Sequence, residues 1–198
     1  MTLAPPTFER TALKEWAVLV EAMARGDIVA MVRKGGIREQ RAGFSVRHDR
    51  FLLYPTYFHE KAAEMAPRLV DTLGAAHARR PAEGVVRVEY VADVAAVWAV
   101  AELGRLERIA DEHGLNRRAV ESRFHYKNRP GVQVIAIRLR RLSAPVELPE
   151  IRRYAGCVSW VELDGGVDVG GAAPVLPEET FARRIAGLRA ALGDPDPR

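Results

Sequence analysis

Apolar residues recur along this chain in two rhythms, one of three and four residues and one of two, and the changes between them predict its elements. Leu13, Trp16, Ala17, Val20 and Met23 fall at helical spacing. They predict a helix from Thr11, as N-cap, through Met23, closed by Gly26. Residues 27–32 are a short apolar run with β-branched members, read as a strand that delivers Arg33 and Lys34 to a Gly35-Gly36 turn. Residues 44–46 and 51–54 read as the arms of a hairpin joined through Arg47-His48-Asp49-Arg50. Pro55 is expected to end the second arm, because proline lacks the ladder donor. Ala62, Ala63, Met65, Ala66, Leu69, Val70 and Leu73 predict helix from His59 to about His77, interrupted at Pro67.

Further on, residues 84–90 and 91–100 predict two strands or one long bent strand, with a helix over 95–106 as the alternative. Helices are predicted over 103–112 and 116–124, on either side of Gly114. Residues 132–142 are the clearest strand, after which Pro145 and Pro149 frame an extended linker. A strand over 157–163, turns at Gly165-Gly166 and Gly170-Gly171, and a closing helix over 177–192 capped near Gly193 complete the chain. Short strands with helices inserted between them and flanking them argue for an α+β fold. The sheet is expected to be small, mixed or antiparallel, and rolled towards a partial barrel. With 198 residues, 48% of them hydrophobic, the chain has material for one sizeable core. The expectation is a single globular domain over residues 1–193 and a disordered tail over 194–198.

Charge adds to this picture through its distribution. The net charge is only +4, which permits an anionic partner without requiring one. The cations, however, are clustered. Arg33, Lys34, Arg38, Arg41, Arg47, His48 and Arg50 form one group, and Arg117, Arg118, Arg123, His125, Lys127, Arg129, Arg138, Arg140 and Arg141 a second. Tyr54, Tyr57, Phe58, Phe124 and Tyr126 are interleaved with them. Phosphates need cations and unpaired bases need flat stacking partners, so this pattern points to nucleic acid. The blander reading is a solvated, salt-bridged surface with its aromatics turned inward.

Other chemistry is less well supported by the spacing. Cys157 is the sole cysteine, so an intrachain disulfide is excluded. Its place at the start of an apolar run predicts a buried, inert thiol. The five histidines show no metal-ligand spacing, and Gly35-Gly36 lacks the remainder of a phosphate loop. No metal and no cofactor is therefore expected. The absence of a leader pattern or of a long apolar run leads to the expectation of a cytoplasmic protein with no membrane contact. Residues 105–124 carry apolar, small and turn residues in the order of a helix-turn-helix, which would present Asn116, Arg117, Arg118, Glu121 and Arg123 to a major groove. An ordinary inserted helix pair explains them equally well.

The segments ALKEWA (12–17), RKGGIR (33–38), FLLYPTYFH (51–59), RFHY (123–126), AIRLRRL (136–142) and YAGCVSWVEL (154–163) together resemble an uncharacterised bacterial family, domain of unknown function 1802. The resemblance runs from about Ala12 to Leu163. Some members of that family carry a fused nuclease domain of the Mrr type, so the resemblance implies a place in restriction or other DNA-directed defence, with a separate nuclease or defence protein as partner. The order of a strand ending in Arg-Lys, a Phe-Leu-Leu-Tyr strand, a helix ending in Arg-Phe and an Ala-Ile-Arg-Leu strand is also similar to that of PUA-like and ASCH domains. That second likeness implies a small barrel binding RNA or modified bases, and it is an analogy of order.

The resulting expectation is a nucleic-acid-binding module that does not hydrolyse its ligand, acting in DNA restriction or defence or in RNA metabolism. Its binding residues would be Arg33, Lys34, Arg38, Tyr57, His59, Arg123, Tyr126, Lys127 and Arg129. Of these, Arg33, Lys34, Arg123 and Arg129 would meet phosphates, while Tyr57 and Tyr126 stack on bases. The competing expectation is an enzyme acting on a small anionic substrate or modified nucleoside through Lys34, Thr56, His59 or Glu60. A third is an interaction subunit whose basic face docks an acidic partner.

Overall fold

The computed structural model describes residues 8–34, 46, 48–57, 60–156 and 158–197. It is an α+β fold. The strands are β1 (Phe8–Trp16), β2 (Ala30–Arg33), β3 (Arg50–Thr56), β4 (Val85–Val100), β5 (Val132–Pro149), β6 (Trp160–Asp168) and β7 (Ala173–Pro174). They form one mixed sheet in the order β2-β5-β4-β3-β1-β6, and β7 pairs along β5 beside β2. The β1–β3 pair is parallel and the other pairings are antiparallel. The sheet does not close. The first arm of the predicted hairpin falls largely outside the described residues, as do the Gly35-Gly36 turn and Cys157.

The sheet is covered on both sides, and this explains the unbroken apolar run of β3. Phe51 and Leu53 belong to one core with Leu13, Ala92 and Ile135, while Leu52 and Tyr54 belong to a second with Ala12, Val91, Val161 and Leu163. A strand buried on both faces reads as continuous hydrophobicity. Each of its four fully buried side chains contributes about 1.5–3 kcal/mol of burial free energy. The larger core also takes in α1 (Ala17–Ala24), parts of α2 (Val70–Ala78), α5 (Arg117–Phe124) and α6 (Glu178–Leu192). Between β4 and β5 the chain forms α3 (Leu103–Glu107) and α4 (Ala110–His113), so the predicted 103–112 helix is two short pieces.

Several expectations are corrected by neighbours that spacing alone does not reveal. Thr11 lies inside β1, and the helix begins only at Ala17. Ala12 and Leu13 point into opposite cores, which only a strand between β3 and β6 permits. The predicted end of that helix is observed. Gly26, at φ +78°, donates to the Met23 carbonyl, and Asp27 donates to that of Ala22, the paired bonds of a Schellman cap. Pro55 sits within β3, opposite Glu15 of β1 and beyond Leu52, where the pairing with β4 stops. Pro145 is part of β5 and falls in an irregularity where Arg141–Val146 spans only Tyr90–Val88 of β4. Gly165 and Gly166 lie in β6 at a bulge opposite Glu9–Thr11, and the Phe8 side chain packs where a Cβ on Gly166 would go. Pro67 opens a short 3-10 turn (Pro67–Leu69) that leads into α2, as its break in the pattern suggested.

The C-terminal residues are held as well. Arg184 of α6 bonds the Glu112 carboxylate and the Asp27 carbonyl, each at 2.9 Å. The Trp98 indole donates to the Gly193 carbonyl at 2.9 Å. Asp196 donates to the Val97 carbonyl and accepts from the Ala99 amide through Oδ2, which links it to β4.

Candidate functional site

A cleft of about 320 Å³ opens where the C-terminal ends of β1 and β3 meet the end of β2 and the last turn of α5. β1 supplies Lys14, Glu15 and Trp16. β2 and the residue after it supply Val32, Arg33 and Lys34, and β3 supplies Thr56. α5 adds Ser122 and Arg123, Tyr126 follows it, and Ser159 precedes β6. Among the described residues, four cations therefore line the cleft against one carboxylate. They come from parts of the chain far apart in sequence, at 14, 33–34 and 123.

Each of the cations also has an internal role. Arg33 donates from Nη1 to Glu15 Oε2 and to the Lys14 carbonyl, each at 3.2 Å. This pair is largely removed from water, with Glu15 4% and Arg33 14% exposed. Glu15 Oε1 accepts from the Trp16 amide at 2.9 Å. Arg123 donates to the Val32 carbonyl at 2.9 Å, and its guanidinium lies 4.9 Å from the centre of the Trp16 ring. Burial lowers the Arg123 pKa, with Glu15 opposing the shift and Arg33 adding to it. Lys14 reaches the carbonyls of Tyr154 and Gly156.

Lys34 is the most constrained. Its ammonium donates to the carbonyls of Phe124 (3.0 Å), Arg129 and Gly131, which matches its three N–H donors. The chain returns to it through Lys127 and Asn128, both left-handed at φ 57° and 53°. Such positions cost about 1–2 kcal/mol each for non-glycine residues. Burial lowers the Lys34 pKa, and nearby Arg129 lowers it further.

Of the residues expected to bind, Arg33, Lys34, Arg123 and Tyr126 meet in this cleft. Tyr126 stands at its rim, 40% exposed, with the Lys127 ammonium 5.4 Å from its ring centre. Lys127 and Arg129 are exposed on the turn beyond it. Tyr57 is placed elsewhere. It is half-buried beside α1 and α2, with Arg80 5.1 Å from its ring centre and His77 edge-on at 5.8 Å. Burial and then Glu60 raise its pKa. Arg38 and His59 lie outside the described residues.

The residues of the competing enzyme reading are divided. Lys34 and Thr56 line the cleft, and the Thr56 hydroxyl donates to the Glu15 carbonyl at 3.2 Å. Glu60 serves α1 instead: its buried carboxylate accepts from the Val18 amide at 2.9 Å and contacts His77 Nε2 at 2.6 Å. The helix-turn-helix candidate likewise becomes part of the frame. Asn116 caps α5 through Ala119 and donates to the Ala63 carbonyl. Arg117 pairs with Glu107 and Glu121, and Arg123 turns inward to the cleft. No helix is long and apolar enough to cross a membrane among the described residues.

Sequence reasoning did not select Lys14, Glu15, Trp16, Ser122 or Ser159. A Lys-Glu-Trp run was visible, but the helical reading of 11–23 spread it around a helix. As the end of a strand it lines one cleft.

Comparison with family models gives one finding. A model described as "Domain of unknown function (DUF1802)" matches residues 12–186. Neither curated proteins nor solved structures give a match, and the likeness to PUA-like domains is not confirmed.

Proposed function

The chain belongs to the family domain of unknown function 1802, and from the make-up of the cleft we propose that it is a nucleic-acid-binding module that does not hydrolyse its ligand. The observation that carries this reading is convergence. Among the described residues, Lys14, Arg33, Lys34 and Arg123 surround a cleft with a single carboxylate, Glu15, and with Trp16 and Tyr126 beside them. Internal hydrogen bonds hold these cations in place, so an anionic ligand would meet positive charge that is already positioned. The planar guanidinium of Arg123, like that of Arg33, has a shape and charge that suit phosphate oxygens. The exposed Tyr126 offers a face for a base. The Ser122 hydroxyl adds a neutral donor.

The test is fluorescence anisotropy with single-stranded RNA, single-stranded DNA and duplex DNA, each across a salt series. The net lining charge predicts a slope of about −2 for log affinity against log salt on a single strand. Ser122 is exposed, so Ser122→Asp adds a negative charge to the cleft without disturbing the core. It is expected to weaken binding about tenfold, or ~1.4 kcal/mol. A flat salt response, or no binding to any of the three at low salt, would overturn the reading. Preference for DNA would support a place in restriction or defence, and preference for RNA a place in RNA metabolism.

A further inference from the structure

The helices α3, α4 and α5 enclose a second cavity, of about 270 Å³, that shares no lining residue with the cleft. Its walls are apolar: Leu103 and Leu106 of α3, Leu115 after α4, and Val120 of α5. Leu106, Leu115 and Val120 are buried. Glu107 and Arg117 also line it and form an exposed ion pair at 3.3 Å, joining α3 to α5. His113, the last residue of α4, lines the cavity and is 2% exposed. Its Nδ1 accepts from the Leu115 amide at 3.2 Å, which leaves the proton of the neutral ring on Nε2. That Nε2 makes no hydrogen bond. The Leu106 carbonyl favours the charged ring without satisfying this donor. A buried donor without an acceptor costs free energy, and most such groups in proteins are paired. Here the unpaired donor and the apolar space belong to one cavity.

We infer that this cavity is a binding site for a small uncharged molecule, an apolar ring carrying a carbonyl oxygen that accepts from His113 Nε2. The inference is independent of the nucleic-acid reading. Size sets the class of ligand. An apolar protein cavity of about 150 Å³ accepts benzene, so about 270 Å³ holds a ring with a substituent. Charge narrows it further. A carboxylate or an ammonium would leave water for walls of leucine and valine, a costly transfer without a counter-charge. Glu107 and Arg117 answer each other, and burial keeps His113 a neutral donor near pH 7, with its pKa pushed down to about 4. The ligand therefore supplies the acceptor that Nε2 lacks, while Nδ1 stays bonded to Leu115. Nε2 is screened from water, so a ligand reaches it by parting the helices. That opening meets little resistance: α3 and α4 are only five and four residues long, and an exposed ion pair such as the one joining α3 to α5 is weak.

The experiment titrates acetophenone into the full chain carrying isotope-labelled histidine. It follows the nuclear magnetic resonance of His113 Nε2, identified by its loss in His113→Gln. Ethylbenzene has the same ring and lacks the carbonyl, and benzoate has the same ring and is charged. The expected result is saturable binding of acetophenone that shifts the Nε2 resonance, about tenfold or more tightly than either analogue. Ala110 is exposed and lines the cavity, so Ala110→Trp fills the cavity from outside the core. This variant should unfold at the wild-type temperature and bind acetophenone about tenfold or more weakly. Equal affinity for ethylbenzene or for benzoate would overturn the recognition of an uncharged acceptor. An unmoved Nε2 resonance would overturn the role of His113. No binding of acetophenone by the wild type at about 5 mM, or binding that Ala110→Trp leaves unchanged, would overturn the site itself.

Discussion

Arg33→Met is the variant that most directly tests how the cleft is built. Arg33 bonds Glu15 Oε2 and the Lys14 carbonyl, each at 3.2 Å, and both members of the ion pair are shielded from water. Methionine keeps the length of the side chain and removes its charge. A hydrogen bond between charged groups is worth about 1.5–3 kcal/mol, and one to a neutral carbonyl about 1 kcal/mol. Removing one partner of a buried pair adds the cost of leaving the other charge unmatched. The loss is therefore about 3 kcal/mol. For a domain of this size each kcal/mol moves the melting temperature by about 2–4 °C, so Tm should fall by about 6–12 °C. The informative comparison is the double variant Glu15→Gln/Arg33→Met, since a glutamine amide oxygen can still accept from the Trp16 N–H as Glu15 Oε1 does. Calorimetry on the four proteins of the cycle should show the double variant more stable than Arg33→Met alone, with a coupling of about 1–3 kcal/mol. Additive losses, or a fall of less than about 1 °C in Arg33→Met, would refute the claim that this pair organises the cleft floor.

Two further outcomes test the frame around it. Gly114 has φ +71°, and a Cβ there would lie 2.7 Å from Leu69 Cδ1 and 2.9 Å from Leu19 Cδ2. Gly114→Ala should cost about 2–4 kcal/mol in urea denaturation, combining a left-handed penalty with overpacking; a change within about 0.5 kcal/mol would contradict this packing. His113 is buried, and burial pushes its pKa from 6.5 down to about 4, with Arg123 and Arg68 adding to the shift and the Leu106 backbone opposing it. The unfolded chain therefore binds this proton more readily. The stability from neutral His113 is fully present above pH about 6.5 and is lost as pH falls to about 4, at up to ~1.4 kcal/mol per pH unit. Denaturation midpoints across that window should show the slope in the wild type and a shallower one in His113→Gln; equal slopes would remove His113 from the acid response.

Local signals were sufficient wherever one element's own residues fixed its structure. Gly26 as the stop of α1, Asn116 and Phe124 as the limits of the 116–124 helix, and the closing helix ended by Gly193 were readable because caps and periodicity are short-range. The run Phe51–Tyr54 was readable as a strand, since four adjacent large apolar residues suit a sheet covered on both faces. Local signals failed where a partner decided the outcome. Leu13 and Trp16 satisfy a helical period, yet Ala12 and Leu13 are claimed by opposite cores. Pro145 and Gly165-Gly166 carry the usual marks of breaks, and here they fall in irregularities within long strands.

The same division applies to the candidate site. The family, an α+β fold and two clusters of cations with aromatics among them were legible in the chain itself, because these follow from residue type and order. Which cations meet depends on long-range pairing. Parallel pairing of β1 with β3 brings Lys14, Glu15 and Trp16 beside Thr56, and antiparallel pairing of β2 with β5 presents Arg33 and Lys34 to the end of α5. Tyr57 and Glu60 were drawn away to support α1 and α2, although they stand close to Thr56 in sequence. Charge acts over a few ångströms of space, and the strand register sets which residues share that space.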